Sequence, residues 1–174
     1  MEADLVQSAT RLVELLRQRK LRLATAESCT GGLIAAALTE VPGASDVFDC
    51  GFITYANSAK NALVGVPEAV IAGHGAVSKA VAALMAKGAL LRAPADVAVA
   101  VTGIAGPGGG SAEKPVGLVH IAAALKGGAA RHKECRFGDI GREQVRLKTV
   151  AEAFALIEAL IRDQPASASC FTGP

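Results

Sequence analysis

The sequence predicts a single α/β domain in three layers, with a mixed sheet flanked by helices on both faces. Apolar segments of strand length alternate with segments whose apolar residues recur at helical spacing, which is the pattern of helices packed on a sheet. Hydrophobic residues make up 51% of the 174 residues and aromatic residues only 3%. Small aliphatic side chains must therefore fill the core, which favours close packing of helices on strands rich in Val, Ile and Ala.

The first half of the chain predicts two strands and three helices. Residues 2–20 place leucines at helical spacing among Gln, Arg and Glu, which indicates an amphipathic helix. Segment 21–26 is short and apolar and predicts a strand, and the helix predicted at 30–38 ends before a Pro-Gly pair. The β-branched and aromatic content of 47–55 predicts a second strand, and a short helix is expected at 57–64.

The second half predicts three more strands between two helices. A helix is expected at 79–92, and the apolar runs at 96–102 and 116–125 indicate buried strands. Segment 131–137 alternates well enough to pair with the preceding strand across a Gly-Gly turn. A long amphipathic helix at 142–162 completes the domain.

Domain organisation and charge exclude several classes of protein. Neither an internal repeat nor a Pro-, Gly- or Ser-rich linker divides the chain, so we expect one domain over 1–163 and a flexible tail at 164–174. The net charge of +2 is too balanced for a nucleic-acid-binding or membrane-surface protein. No apolar run approaches the ~18 residues of a membrane span. The acidic residues Glu2 and Asp4 also disfavour a signal peptide, so a cytoplasmic location is expected.

The possible metal ligands are scattered. The four cysteines form no CxxC pair, and the three histidines lack ligand spacing, so we predict neither a metal site nor a disulfide framework. The cysteines are Cys29, Cys50, Cys135 and Cys170, and the histidines are His74, His120 and His132. No cofactor is expected.

Segment 25–32, TAESCTGG, joins a predicted strand to a predicted helix. Unpaired backbone N–H groups at the start of a helix can hold a phosphate or stabilise an oxyanion. Ser28 or Cys29 at such a junction is a candidate nucleophile. Two interpretations of Ser28 stay open at this point, because a serine here also suits a helix N-cap.

Three further segments could contribute to a site. Glycines in the loop 102–111 (TGIAGPGGGS) would let backbone amides approach a ligand, although a plain surface loop has the same composition. Tyr55 and Lys60 lie in YANSAK, where the lysine is a general base only if its surroundings lower its pKa. Arg142 and Arg146 lie one helical turn apart, and they could receive a phosphate or pair with neighbouring acids.

Taken together, these segments resemble the C-terminal domain of the competence/damage-inducible protein CinA. The resemblance runs from about Ala24 to about Arg146 and is carried by four segments. They are TAESCTGGLIAAALTEVPGAS, FDCGFITYANSAKNALVGV, HGAVSKAVA and VAVTGIAGPGGGSAEKPVGLV. Standalone copies of that domain are nicotinamide-nucleotide amidohydrolases. The separate N-terminal domain of full-length CinA proteins is not expected in this chain.

The resemblance implies a metal-free Ser–Lys amidase that converts nicotinamide mononucleotide to nicotinate mononucleotide and ammonia in pyridine nucleotide recycling. It implies Ser28 as nucleophile, Lys60 as base and Tyr55 as an assisting group, with the Cys29–Thr30 amides at the oxyanion. Arg142 would face the substrate phosphate, with Arg146 as the less favoured choice. The substrate-binding positions implied are Cys29, Thr30, Gly31, Ser45, Thr102, Gly103, Gly106 and Arg142.

Two alternatives stay open on the sequence. One is an enzyme of the same class in which Cys29 is the nucleophile, because a helix N-terminus lowers the pKa of a thiol. The other is a catalytically silent nucleotide- or partner-binding module of a competence or damage response. As partners we expect a small-molecule nucleotide and further copies of the chain, and neither nucleic acid nor a membrane.

Overall fold

Residues 2–164 are described by a computed structural model of the chain. In this range six helices and five strands follow one another along the chain. They are α1 (Ala3–Arg19), β1 (Leu23–Glu27), α2 (Leu33–Thr39), β2 (Phe48–Ile53), α3 (Asn57–Val64), α4 (Glu68–His74), α5 (Lys79–Arg92), β3 (Val97–Gly103), β4 (Leu118–Leu125), β5 (Ala130–Arg136) and α6 (Arg142–Arg162). Apart from Gln164, the predicted tail lies outside the described residues.

The five strands form one mixed sheet in the order β2-β1-β3-β4-β5. Strand β1 is parallel to both of its neighbours, β2 and β3. Strands β3, β4 and β5 are successively antiparallel, and β4 and β5 form the hairpin expected from the Gly-Gly turn. The carboxyl ends of β1, β2 and β3 therefore meet at one edge of the sheet, where open α/β sheets commonly bind ligands.

Helices cover both faces of the sheet, so the predicted three-layer architecture is confirmed. One face carries a large core of residues from α1, α2 and α6 packed on Leu23, Val99 and Ile121 of the strands. The other face carries a second core, in which α5 packs on Ala26, Ala98 and Ala100. The alanines on this face let α5 lie close to the sheet, as the aliphatic composition predicted.

Two local differences from the sequence predictions have physical causes. Helix α2 begins at Leu33 rather than at Thr30, because Gly31 and Gly32 adopt positive φ angles and form a turn before it. Helix α4 was not predicted at all. Its seven residues include Gly73 and bury only Ile71, so the segment carries little helical periodicity.

Helices α3 and α5 cross at very close range. A side chain at Gly88 of α5 would overlap the carbonyl oxygen of Val64 in α3. This contact fixes the distance of α3 from the layer formed by α5, and α3 carries Lys60. No helix within residues 2–164 is both long and apolar enough to cross a membrane.

Candidate active site

A cleft of about 230 Å³ opens at the carboxyl ends of β1, β2 and β3. Six of the residues predicted from the sequence to form the site line it together: Ser28, Cys29, Tyr55, Lys60, Thr102 and Arg142. Gly103, a seventh predicted site residue, also lines the cleft, beside Ala76, Val77 and Ala105. Residues from five separated segments of the chain thus share one cavity.

Ser28 and Lys60 are in direct contact. The Nζ atom of Lys60 lies 3.0 Å from the Oγ atom of Ser28. The same Nζ atom donates to the carbonyl oxygens of Thr54 at 2.9 Å and Tyr55 at 3.3 Å. Lys60 is only 1% exposed and Ser28 8% exposed, so bulk water has little access to the pair.

Burial alters the protonation of the Lys60 amine. Desolvation lowers the pKa of Lys60 below its ordinary value of 10.5, because a buried amine is more stable without its charge. A neutral amine has two N–H bonds and one lone pair. If the carbonyl groups of Thr54 and Tyr55 take the two N–H bonds, the lone pair remains for the Ser28 hydroxyl proton. This arrangement suits a general base acting on Ser28.

Glu27, the last residue of β1, was missed by the sequence analysis. Its carboxylate is completely buried and accepts hydrogen bonds from the backbone N–H groups of Gly32, Ile34 and Ala35 at 2.9–3.0 Å. The Thr30 hydroxyl donates to the same carboxylate at 2.7 Å. A Glu at the end of an apolar strand, followed by Gly-Gly before a helix, is the signal that could have identified it.

Glu27 changes the interpretation of this junction. The N-terminal amides of α2, expected to bind a substrate anion or oxyanion, are occupied by the chain's own carboxylate. The Ser28 N–H donates to the Val101 carbonyl, and Ser28 is not the N-cap of α2. Within residues 2–164, only the amides of Cys29 and Thr30 in the 28–32 turn lack a protein acceptor. These are the two amides that the resemblance assigns to the oxyanion.

The structure argues against the alternative in which Cys29 is the nucleophile. Its thiol is buried, and burial raises the pKa of Cys29 to about 12. Because Glu27 occupies the helix amides, the α2 N-terminus does not offset that effect. A thiol with such a pKa holds almost no thiolate at neutral pH, and the thiolate is the nucleophilic form.

Tyr55 and Arg142 meet at the mouth of the cleft. Arg142 Nη2 donates to the Tyr55 hydroxyl and Nη1 to the Gly106 carbonyl, each at 2.9 Å. Tyr55 is 58% exposed and contacts Lys60 through its backbone carbonyl rather than its hydroxyl. The hydroxyl of Tyr55 is therefore placed near the entrance, beside Arg142, which is the only cationic side chain of residues 2–164 that lines the cleft besides Lys60.

Two basic residues hold loops beside the cleft. Lys114, from the glycine-rich segment, donates to the carbonyls of His74 and Val77 at 2.7 and 2.8 Å. The Thr102 hydroxyl donates to the carbonyl of Ala76, which lies in the loop between α4 and α5. This hydrogen bond holds that loop against the cleft. Arg146 does not line the cleft, and its Nη2 donates to the Thr30 carbonyl at 2.8 Å. Gly31 lies in that same turn and is exposed.

Ser45 is the one predicted site residue that lies far from the others. It is exposed in a short 3-10 turn before β2, next to the amino end of that strand. Strand β2 is six residues long, which is roughly 20 Å, and the cleft lies at its carboxyl end. Within residues 2–164, no three His, Cys, Asp or Glu side chains cluster closely enough to hold a metal ion.

Known proteins resemble this chain in sequence. The family model for the CinA C-terminal domain matches residues 5–161. The nicotinamide-nucleotide amidohydrolase PncC of Escherichia coli K12 is 46% identical over 153 residues, which cover 87% of this chain and 92% of that protein. A CinA-like protein of Chlorobaculum tepidum is 52% identical over 145 residues. The chain spans about a third of such longer relatives, 34% of this one and 28% of the CinA-like protein of Akkermansia muciniphila.

Solved structures share the fold over nearly the whole described range. The competence/damage inducible protein CihA from Agrobacterium tumefaciens matches with a TM-score of 0.90 and 52% identity, covering 92% of this chain and 97% of that one. A CinA-superfamily protein from Klebsiella pneumoniae matches with a TM-score of 0.87 and 35% identity, covering 92% and 99%. Sequence and fold thus point to the same family.

Proposed function

Because the chain belongs to the CinA C-terminal domain family, we propose that it is a nicotinamide-nucleotide amidohydrolase. It hydrolyses the carboxamide of nicotinamide mononucleotide to the carboxylate of nicotinate mononucleotide and releases ammonia. The observation that carries this proposal is the hydrogen bond between the buried amine of Lys60 and the Ser28 hydroxyl. It supplies a nucleophile and a base in one water-poor cleft.

The first half of the reaction forms an acyl-enzyme. Ser28 Oγ attacks the carboxamide carbon while the neutral amine of Lys60 takes the hydroxyl proton. The π electrons of the carbonyl move to its oxygen, and the amides of Cys29 and Thr30 donate to that oxyanion. When the intermediate collapses, the carbon–nitrogen bond breaks and Lys60 returns the proton to the leaving nitrogen, so ammonia departs.

The second half uses water as the nucleophile. Lys60 takes a proton from water as its oxygen attacks the acyl carbon, and a second tetrahedral intermediate forms. The ester bond then breaks, Ser28 recovers its proton from Lys60, and the product leaves as the carboxylic acid, which gives its proton to solvent and becomes the carboxylate. Atoms balance, because one water and one carboxamide give one carboxylic acid and one ammonia.

Arg142 is our candidate for the substrate phosphate. Within residues 2–164, Lys60 and Arg142 are the cationic side chains that line the cleft, and Lys60 is engaged with Ser28. Arg142 lies at the entrance, where its partners are a phenol and a backbone carbonyl rather than a carboxylate. A phosphate would give a stronger, charge-assisted contact than either of these neutral partners.

The deciding experiment measures ammonia release from nicotinamide mononucleotide by the purified full chain. The proposal expects ammonia and nicotinate mononucleotide in equal amounts, and it expects none from the Ser28→Ala variant. A protein that binds the nucleotide without turnover would instead be the silent binding module that the sequence left open. Full activity in Ser28→Ala would contradict the serine mechanism.

A further inference from the structure

The 28–32 turn, which follows the end of β1 and carries Ser28, is held by several hydrogen bonds, and the Leu33 N–H also donates to its Thr30 carbonyl at 3.3 Å. Its Thr30 hydroxyl and Gly32 N–H both bind the Glu27 carboxylate. Its Thr30 carbonyl accepts from Arg146, and its Gly31 N–H donates to the Ser28 carbonyl at 3.0 Å. The two remaining amides, those of Cys29 and Thr30, have no protein acceptor in the described chain.

The peptide between Thr30 and Gly31 is held at both of its ends. In a trans peptide the C=O and N–H bonds point in opposite directions, so opposing hydrogen bonds fix the orientation of the plane. Arg146 donates to the oxygen at 2.8 Å and the Leu33 N–H donates to it at 3.3 Å, while the Ser28 carbonyl accepts from the N–H. Gly31 and Gly32 both have positive φ and carry no side chains. The shape of this part of the turn therefore depends on hydrogen bonds from other residues.

Glu27 and Arg146 approach the turn from different elements. Glu27 ends β1, where it is 0% exposed, and Arg146 belongs to the first two turns of α6. Arg146 reaches the turn with an incomplete set of partners, because its buried Nε has no hydrogen-bond acceptor in the described residues. Its Nη2 atom donates directly to the Thr30 carbonyl at 2.8 Å, so α6 is tied to the turn.

We propose that Glu27 and Arg146 are positioning residues that set the orientation of the Cys29 and Thr30 amides for the oxyanion. This inference rests on the proposed function and extends it. Neither residue touches the substrate. Together they hold Thr30 by its side chain and its carbonyl, so its amide and that of Cys29 keep a fixed direction during the reaction.

The test uses a fluorophosphonate reagent, which needs no turnover of the nucleotide. Ser28 Oγ bonds to phosphorus, the phosphorus–fluorine bond breaks with loss of fluoride, and Lys60 takes the hydroxyl proton. The phosphoryl oxygen occupies the oxyanion position, so the labelling rate reports the amides directly. Mass spectrometry measures the rate of labelling and locates the label.

Two variants and two matched controls are compared on the full chain. Thr30→Val removes the hydroxyl that donates a hydrogen bond to Glu27. Its control, Thr149→Val, removes a buried hydroxyl on α6 that donates to a carbonyl of the same helix. Arg146→Met removes the contact with the Thr30 carbonyl, and Arg162→Met removes an exposed arginine of the same helix. Glu27 is tested through Thr30, because replacing a buried carboxylate with this many donors risks unfolding.

We expect Thr30→Val and Arg146→Met to label at least about tenfold more slowly than their controls. Their affinity for nicotinate mononucleotide, measured by calorimetry, should change by less than about threefold, because they act on the reacting oxygen. Arg146→Lys should recover part of the rate.

Three outcomes would overturn the inference. One is labelling at the rates of the controls, and another is an equal loss of labelling and of product binding, which would mean a collapsed cleft. A parent protein whose Ser28 takes no label would overturn both the inference and the proposed function. A parent that is labelled at Ser28 but releases no ammonia would contradict the proposed function alone, and the labelling rates would still decide on Glu27 and Arg146.

Discussion

Ser28 and Lys60 lie 32 residues apart in the chain and meet through one hydrogen bond inside the cleft. We expect Ser28→Ala to reduce ammonia release to background, because no other hydroxyl of residues 2–164 is hydrogen-bonded to the Lys60 amine. The free energy of unfolding should fall by only about 1 kcal/mol, the usual net value of one neutral hydrogen bond. Steady-state assays and chemical denaturation measure both, with Ser58→Ala, an exposed serine on α3, as the control.

The pH dependence of activity follows from the lowered pKa of Lys60. Protonated Lys60 has no lone pair and cannot accept the Ser28 proton, so kcat/KM should rise with pH through that pKa and then level off. Because desolvation lowers this pKa, the midpoint should lie below 10.5. Between the lowered value and 10.5 the unfolded chain binds more protons, so this group also makes the free energy of unfolding rise with pH. A flat profile across the neutral and alkaline range would contradict the assignment.

The charge and the basicity of the side chain at position 60 can be tested separately by substitution. Arginine keeps a positive charge but stays protonated at any working pH, so Lys60→Arg should lose activity about as fully as Lys60→Ala. The measurement is kcat/KM for both variants beside Lys87→Arg, an exposed lysine on α5. Substantial activity in Lys60→Arg would mean that Lys60 acts through its charge and that another group is the base.

The crossing of α3 and α5 gives a prediction for an entire element. Gly88→Ala should push α3 away from α5, because the new methyl group would overlap the Val64 carbonyl. Overpacking of this kind costs about 1–3 kcal/mol of unfolding free energy. Since α3 carries Lys60, kcat should fall as well.

The matched control for Gly88→Ala is Gly73→Ala in α4. A methyl group at Gly73 would meet nothing within 4 Å, and alanine favours a helix by up to about 1 kcal/mol. Gly73→Ala should therefore leave activity unchanged and hold or raise the melting temperature. Equal behaviour of the two variants would show that the crossing does not control the site.

The secondary structure was largely predictable because its signals are local. The helices α3, α5 and α6 begin and end at the predicted residues, since apolar periodicity and flanking glycines mark them. The start of α2 was not predictable in this way. Helix α2 begins only after a turn whose Gly32 N–H binds the Glu27 carboxylate. The sequence pattern of a strand does not reveal which backbone groups one of its side chains will bind.

Several of the predicted site residues meet, but local sequence alone did not establish their roles. From the sequence alone, the single lysine of YANSAK is expected to be exposed to solvent. In the structure Lys60 is buried, because α3 packs against the segment that follows β2. Ser45 lies at the other end of β2 because it precedes that strand in the chain, whereas Ser28 follows β1 and Lys60 follows β2. The family resemblance supplied assignments that residue spacing could not.

Substrate selectivity depends on how distant elements are assembled, because Arg142 reaches the cleft from the start of α6, the last helix. A charge-assisted contact contributes about 1.5–3 kcal/mol, and each ~1.4 kcal/mol is tenfold in rate. Nicotinamide riboside, which lacks the phosphate, should therefore be at least about tenfold poorer in kcat/KM than the nucleotide. Arg142→Ala should narrow this difference by slowing the nucleotide selectively.

Parallel assays of both substrates on the parent and on Arg142→Ala test this prediction. Arg136→Ala, an exposed arginine on β5, is the control for general loss of positive charge. Equal efficiency on the riboside, or the same loss for both substrates in Arg142→Ala, would show that the phosphate is not recognised there.

Glu27 and Ser28 are consecutive residues at the end of a strand that hydrogen-bonds on both sides. Successive side chains of a strand project to opposite faces, so the carboxylate meets α2 on one face while the hydroxyl meets Lys60 on the other. Inserting a single residue within β1 would place the Glu27 carboxylate against the Lys60 amine, and deleting one would place the Ser28 hydroxyl beneath α2. The spacing within Leu23–Ser28 therefore admits no single-residue insertion or deletion.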